Sequence, residues 1–473
     1  MRKSTMFFMS LLVVLSLVLS ACAAPTPVVV EKEKVVEKPV VQTVVVEKEV
    51  PVEKVVKETV VVEKEVVVEV VVTPTPVPKP PVGPPKVKIG ALYCLTGALA
   101  EFGEAFRKTG DMAKDHFAEA GFPIEIVVAD TETAAIPGVE AARMLVDVEK
   151  VHALIGAAAS GVTVPIAESV SIPSEVPQIS YASTSPLITV LPADEGKDFL
   201  FRTCPSDALQ GVIMGKLAWD AGYKTAAVLY VNNPYGEGLA EQFKESFEFR
   251  GGKVTAMVPH DEAPAPTYVS ELRKAAEAKP EVLAAISYPG HATVYLKEAI
   301  EGGFFDEFLF CDGTKSVEMP KEVGPEYLAG MFGTAPGALK GASYDVFVAE
   351  YMAYYGELPP LPFMTNTYDA ITVIGLAAAK CEADGKDITP ICIRDNLREV
   401  ANPPGETITP GPESLKKALD LLKEGKDINY EGAAGSVDFD DAGDVVTPIE
   451  IWKYVEEAPY IATERLEMTI PPK

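Results

Sequence analysis

The chain has 473 residues, enough for two or three domains. Its formal charge of −27 removes nucleic acid from the partners, because a phosphate backbone demands a basic face. The four histidines, His116, His152, His260 and His291, lie in separate segments without ligand spacing, so no metal or other cofactor is expected.

Arg2 and Lys3 precede an apolar run from Met6 to Leu19, and small residues close it in Leu19-Ser20-Ala21-Cys22. This reads as a secretory signal over 1–21, too short to span a membrane comfortably. With cysteine in the position after cleavage, the segment resembles a bacterial lipobox. The resemblance implies that Cys22 becomes the first mature residue and carries lipid through its sulfur. The protein is then extracytoplasmic and anchored to the cell membrane, in a periplasm or at a cell surface. An ordinary signal with an incidental cysteine is the alternative. Of six cysteines, lipidation uses one and leaves Cys94, Cys204, Cys311, Cys381 and Cys392 where disulfides persist. Cys381 and Cys392 are close in sequence and form the expected bridge, and the odd count leaves a thiol unpaired within the chain.

Residues 22–85 are low in complexity: Val-rich runs alternate with Glu-Lys pairs, and Pro25, Pro27, Pro39 and Pro51 interrupt them. Prolines and β-branched runs both oppose a helix, and no aromatic residue offers a core. The tract reads as a stalk. A coiled coil fits less well, because the apolar spacing drifts out of heptad register.

From Lys86 the texture becomes strand-helix alternation. Val87 to Tyr93 reads as a buried strand, and Gly103 to Ala120 as a helix with Phe106, Ala113, Phe117 and Ala120 on one face. Strands are expected next at 124–129, 151–156, 177–180 and 199–202, with helices at 138–150 and 162–171. The pattern restarts with a helix at 208–221, strands at 226–231, 254–258, 282–287 and 308–311, and helices at 237–249 and 268–278. From about Ala342 the chain reads as mostly helical until late strands at 436–439 and 448–454. Short apolar strands alternating with helices imply parallel sheets covered on both faces, and this many strands imply two α/β lobes.

Enzyme motifs fail. Gly97 and Gly103 bracket the first strand's loop, but neither a dinucleotide fingerprint nor a phosphate loop is spelled. Ser414 to Lys417 spells S-x-x-K, and its serine after Pro412-Glu413 suits a helix start better than an acyl-transfer nucleophile. No nucleophile elbow is present, so a non-enzyme is expected.

Ligands of parallel α/β sheets gather at the carboxyl ends of strands. Here those ends read Tyr93-Cys94-Leu95-Thr96-Gly97 through Phe102-Gly103, Ala159-Ser160-Gly161-Val162-Thr163, and Ser180-Tyr181-Ala182-Ser183-Thr184-Ser185-Pro186. Asn233-Pro234-Tyr235-Gly236, Tyr288-Pro289-Gly290 and Cys311-Asp312-Gly313-Thr314 follow. Hydroxyls, aromatic rings and one carboxylate converge, a set suited to a zwitterion.

With Ile89-Gly90, Ile155-Gly156 and Tyr368-Asp369-Ala370 in matching order, the chain from 86 to about 460 resembles the branched-chain amino-acid type of periplasmic binding protein. Such proteins are receptors of ABC importers. The resemblance implies the type I fold, two Rossmann-like lobes about a ligand cleft, with ABC permease subunits as partners and a small solute as ligand. It implies that Ser160, Ser183 and Thr184 hold a ligand carboxylate while the main chain of Ala182 accepts from its amine. Asp312 stands where the family has Glu and pairs with the ammonium; Phe102, Tyr235 and Tyr288 cover the ligand. Other readings stay open: Ser160, Ser183 and Thr184 suit caps and turns, Phe102 and Tyr235 suit a core or hinge, and Asp312-Gly313 suits a turn. Tyr368 and Asp369 read as structural residues preceding an apolar helix. The lobes divide as 86–205 plus 337–447 and 206–336 plus 448–473. The alternatives in function are a short amide, urea or aromatic acid as ligand, or an extracellular ligand sensor.

Overall fold

The computed structural model describes residues 83–467. The expected signal, Cys22 and nearly all of the 22–85 tract lie outside the described residues.

The first sheet is built from β1 (Val87–Tyr93), β2 (Ile124–Asp130), β3 (Ala153–Ile155), β4 (Gln178–Ser180) and β5 (Leu200–Arg202). Its order is β2-β1-β3-β4-β5 and every pairing is parallel, with Ile89 beside Ile126 on one side and Ala153 on the other. Strands β1, β3, β4 and β5 are buried almost throughout, as a parallel sheet covered by helices front and back requires. The helix Ala100–Ala120 buries Phe102, Phe106, Ala113, Phe117 and Ala120 as one stripe. It stops at Gly121, whose φ of 93° is open to glycine and lets its N–H reach back to Phe117 and Ala118.

The second sheet contains β6 (Thr225–Val231), β7 (Lys253–His260), β8 (Val282–Ile286), β9 (Phe308–Phe310) and β10 (Phe332–Pro336). After a two-stranded ribbon of β11 (Glu406–Ile408) and β12 (Ile428–Tyr430), β13 (Ile449–Tyr454) and β14 (Ile461–Glu467) join this sheet. The order is β14-β13-β10-β9-β8-β6-β7, parallel from β7 to β10 and antiparallel beyond.

The chain passes between the sheets three times. It leaves β5 for the helix Asp207–Asp220, and returns after β10 to the helices Ala342–Tyr355, Met364–Ala383, Pro390–Ala401 and Pro412–Lys423 beside the first sheet. It then passes through residues 440–448 to β13. Arg202 pins the last passage: Nε and Nη2 donate to the two Asp444 oxygens at 2.6 Å each, and Nη1 to the Ser185 carbonyl at 2.9 Å.

Several expectations need correction. Residues 436–439 form no strand; Ser436 makes one isolated bridge to Glu431. Residues 138–150 and 162–171 are not plain helices, because each ends in a π-type turn, Met144–Val148 and Ala167–Ser171. In the second, Pro165 lies inside the helix and cannot donate to an i−4 carbonyl. Tyr368 and Asp369 lie within Met364–Ala383 rather than before it. The buried Asp369 carboxylate accepts from Ala433 N at 2.7 Å, Ala434 N at 2.9 Å and the Tyr430 hydroxyl at 2.8 Å, clasping the ribbon to this core helix. Burial pushes its pKa up to about 7 against those three bonds. Cys381 and Cys392 are bonded, 11 residues apart in sequence, and Cys94, Cys204 and Cys311 are buried free thiols.

Candidate functional site

The carboxyl ends of both sheets face one shared cavity. From the first lobe, Ala158, Ala159 and Ser160 enter where β3 gives way to the helix Ser160–Ile166, and Ala182 enters after β4. Phe102 enters from the first turn of Ala100–Ala120, continued by Phe106, which lies 6.0 Å from it in a stack. That helix comes close because residue 103 is glycine: a Cβ there would stand 2.4 Å from the Cys94 carbonyl oxygen. From the second lobe come Tyr235, Tyr288, Asp312 and Gly313.

Asn233 organises the second wall. It caps the helix Pro234–Phe249, its Oδ1 accepting from Tyr235 N and Gly236 N at 3.1 Å each. Its Nδ2 donates to Glu262 Oε1 at 2.7 Å and to the Tyr288 hydroxyl at 3.1 Å. The Tyr235 and Tyr288 rings consequently lie almost parallel, with centroids 5.5 Å apart. The Tyr235 hydroxyl donates to Asp312 Oδ1 at 2.9 Å and accepts from Gly313 N at 3.2 Å. Gly313 is required there, because a Cβ would stand 2.3 Å from the Ser287 carbonyl oxygen.

Asp312 is 3% exposed, and its Oδ1 also accepts from Gln210 Nε2 at 2.7 Å. Burial raises its pKa, and the bonds from Gln210 and Tyr235 pull the other way. No lysine or arginine pairs with it among the described residues, since Arg202 is committed to Asp444 and Lys315 to Glu450. A buried carboxylate on a cavity wall is stabilised by a positively charged group that approaches it.

Six of the eight ligand residues expected from sequence line this cavity: Phe102, Ser160, Ala182, Tyr235, Tyr288 and Asp312. The side chains of Ser183 and Thr184 are engaged elsewhere. Ser183 Oγ lies 2.7 Å from Thr163 Oγ1 and 3.1 Å from the Ala157 and Ala158 carbonyls, while Thr184 Oγ1 donates to Asp207 Oδ2 at 2.8 Å. Sequence reading missed Asn233, Gln210 and Phe363. The Asn-Pro pair at a helix start was a readable signal for Asn233. Nothing local marks Phe363, which reaches the cavity from the far tail.

The lobes also touch around the cavity. The Glu101 carboxylate, on the first lobe, accepts from Ser316 Oγ at 2.5 Å, Val317 N at 2.9 Å and Glu318 N at 3.3 Å on the second. Burial raises its pKa despite those bonds. Ser185 Oγ donates to the Pro234 carbonyl at 2.8 Å, and Gly290 N to the Ala98 carbonyl at 3.1 Å.

Ser414 lies in the helix Pro412–Lys423 with its Oγ accepting from Thr409 N, a turn role. His260 and His291, far apart in sequence, meet behind the second wall with ring centroids 4.7 Å apart. His260 Nε2 lies 2.7 Å from Ser287 Oγ, a hydroxyl–imidazole pair buried in the second lobe and not lining the cavity. Among the described residues, no group of three or more His, Cys, Asp or Glu is placed to hold a metal ion.

Two α/β lobes with parallel sheets aimed at a shared cleft, crossed three times by the chain, define a type I ligand-binding clamshell. A family model described as periplasmic binding protein matches residues 86–411, and the chain belongs to that family. It is 28% identical over 379 residues to the chemotactic signal transduction system substrate-binding protein BasB of Halobacterium salinarum, covering 76% of this chain and 85% of that one. It is 27% identical over 310 residues to the leucine-, isoleucine-, valine-, threonine-, and alanine-binding protein of Pseudomonas aeruginosa, covering 64% and 80%. The fold matches the branched-chain amino acid transporter substrate-binding protein LivJ of Streptococcus pneumoniae in complex with isoleucine. The TM-score is 0.65 at 22% identity, covering 82% of this chain and 100% of that one. Among the described residues, no helix is long and apolar enough to cross a membrane.

Proposed function

We propose that this protein is the lipid-anchored receptor of an ABC importer and closes its two lobes on an amino acid of branched-chain type. The observation that carries the reading is Asp312, a buried carboxylate facing the cavity with no cationic partner. An ammonium supplies the missing charge, and a charge-assisted hydrogen bond to a carboxylate is the strong kind. Across the cavity, Ser160 and the main chain around Ala159 offer neutral polar groups to a carboxylate, and the main chain of Ala182 an acceptor to the amine. Phe102, Phe106 and the stacked tyrosines give an apolar side chain its surroundings. The names of the Pseudomonas and Streptococcus relatives point the same way. The division at 205/206, 336/337 and 447/448 places one face of the cleft in each lobe, as capture by closure requires. Binding without bond-making accords with a family described as periplasmic binding proteins. Lipid on Cys22 and the 22–85 stalk hold the receptor near the ABC permease subunits that take the solute.

Thermal shift against leucine, isoleucine, valine, alanine, benzoate, urea and acetamide tests this directly, because a ligand of the folded state raises the melting temperature by mass action. Stabilisation by one or more of the amino acids is expected. A response confined to benzoate, or to urea and acetamide, replaces the amino-acid reading with the corresponding acid or amide.

A further inference from the structure

Two acceptor atoms near the cleft are left without donors. Asp207, the first residue of its helix, is fully buried; Oδ2 accepts from Thr184 Oγ1 at 2.8 Å and Oδ1 has no hydrogen-bond partner. Gln210 is fully buried as well. Its Nε2 donates to Asp312 Oδ1 at 2.7 Å and the Thr334 carbonyl at 3.3 Å, while its Oε1 has no partner. The two residues are three apart on one helix, the spacing that puts side chains on the same face. Two acceptors cannot satisfy each other, and buried polar atoms are seldom left unpaired. One proton on the carboxyl makes Asp207 a donor and resolves both atoms.

We propose that Asp207 is a neutral carboxylic acid whose hydroxyl donates to Gln210 Oε1, making it the positioning residue that keeps Gln210 Nε2 turned toward Asp312. The inference rests on Asp312 as the partner of a ligand ammonium. Without the donor, the amide is free to turn its oxygen toward the carboxylate and repel it. The surroundings favour the neutral acid. From β5 Arg202 approaches, but its charge is taken by Asp444 of the third crossing. Cys204 and Asp312 are the other titratable neighbours on the Asp207 side, and Tyr235, Tyr288 and Cys311 surround Asp312. Burial, and then the Asp312 charge, push the Asp207 carboxyl well above the usual carboxylate range.

Infrared difference spectra of ligand-free wild type and Asp207→Asn at pH 7 read the proton directly. A carboxylic-acid carbonyl band is expected in the wild-type-minus-variant difference, where the contribution of Asp369 cancels; the absence of any such difference overturns the proposal. Calorimetric titration with leucine, or with whichever amino acid stabilises the wild type, reads the positioning role. Asp207→Asn keeps an oxygen for Thr184 and an N–H for Gln210, so its affinity is expected within about threefold of wild type. Asp207→Ala, if its melting curve shows it folded, is expected to lose about tenfold. An Asn variant that loses tenfold or more also overturns the proposal, and the infrared and Asn arms decide it if the Ala variant does not fold. If no amino acid binds wild type, the amino-acid reading fails while the infrared arm still reports the Asp207 proton.

Discussion

The two lobes share an architecture and differ in what they bring to the cavity. The first contributes Leu99, Phe102, Phe106, Ala158, Ala159, Ser160, Ala182 and Phe363, none of them ionisable; every ionisable group on the cavity wall, Tyr235, Tyr288 and Asp312, comes from the second. Shape and neutral donors sit on one side and charge on the other. A solute carrying both an ammonium and an apolar body completes contacts only when both lobes reach it, which is how ligand free energy becomes closure. The asymmetry extends inward: the second lobe pairs two buried imidazoles, His260 and His291, behind its wall, whereas the first buries the single imidazole of His116 and the Asp369 carboxylate of its core helix.

The sharpest way to break the comparison is to neutralise the charged side. Asp312→Asn leaves a ligand ammonium buried without its partner, a change expected to cost about 2–5 kcal/mol, or roughly thirty- to several-thousand-fold in affinity for an amino acid. Calorimetric titration measures it, once circular dichroism shows the variant folded. Unchanged affinity would place the ammonium elsewhere.

Acid should separate the lobes next. Burial holds His260 and His291 at about 4, below their ordinary 6.5. The unfolded chain therefore binds protons that the folded second lobe refuses. Stability falls as pH drops below about 6.5 and levels off near 4, by on the order of 2–3 kcal/mol per ring. Asp369 in the first lobe has the opposite sign: its raised pKa gives stability that is full below about 4 and lost as pH rises through about 7. Asp207 and Asp312, between the lobes, share that sign. Hydrogen exchange at pH 7 and pH 5 should show lost protection around His260 and His291 while the Asp369 clasp on residues 430–434 holds. Uniform loss in both lobes would contradict the assignment.

Smaller effects are expected from the neutral side. Ser160→Ala removes one hydroxyl from the cavity and from Ser185 N, to which it lies 3.2 Å away, and should weaken binding by about 1–3 kcal/mol. The same titration series decides whether this loss stays below that of Asp312→Asn, as the asymmetry demands.

The smallest change concerns closure itself. Glu101→Gln keeps one acceptor of the bridge to Ser316, Val317 and Glu318 and removes the charge, so affinity should fall by about 1 kcal/mol, or fivefold. Small-angle scattering of the ligand-free variant should show a more open particle than wild type. If the scattering curves superimpose, the bridge does not bias the lobes.

Hydrophobic periodicity determined the alternation of strands and helices from Val87 to Phe310, because burial on both faces of a parallel sheet writes itself into local sequence. It also carried most of the cavity residues, since strand ends are local features. Strands β10, β11, β12 and β14 were not legible. β10, β11 and β12 are short, β14 carries mostly polar and half-exposed residues, and all four owe their conformation to the strand beside them. The direction of a side chain in a tight turn was equally hidden: Ser183 and Thr184 sit in the expected loop, yet their hydroxyls find nearer partners in Thr163 and Asp207. Only tertiary structure joined His260 to His291, clasped residues 430–434 on Asp369, bonded Gln210 to Asp312 about a hundred residues away, and set the Asp207 carboxyl near that pair. Such groupings are set by the packing of whole elements in a medium of low polarity, where a buried charge or unpaired acceptor must be answered by whatever the fold places next to it.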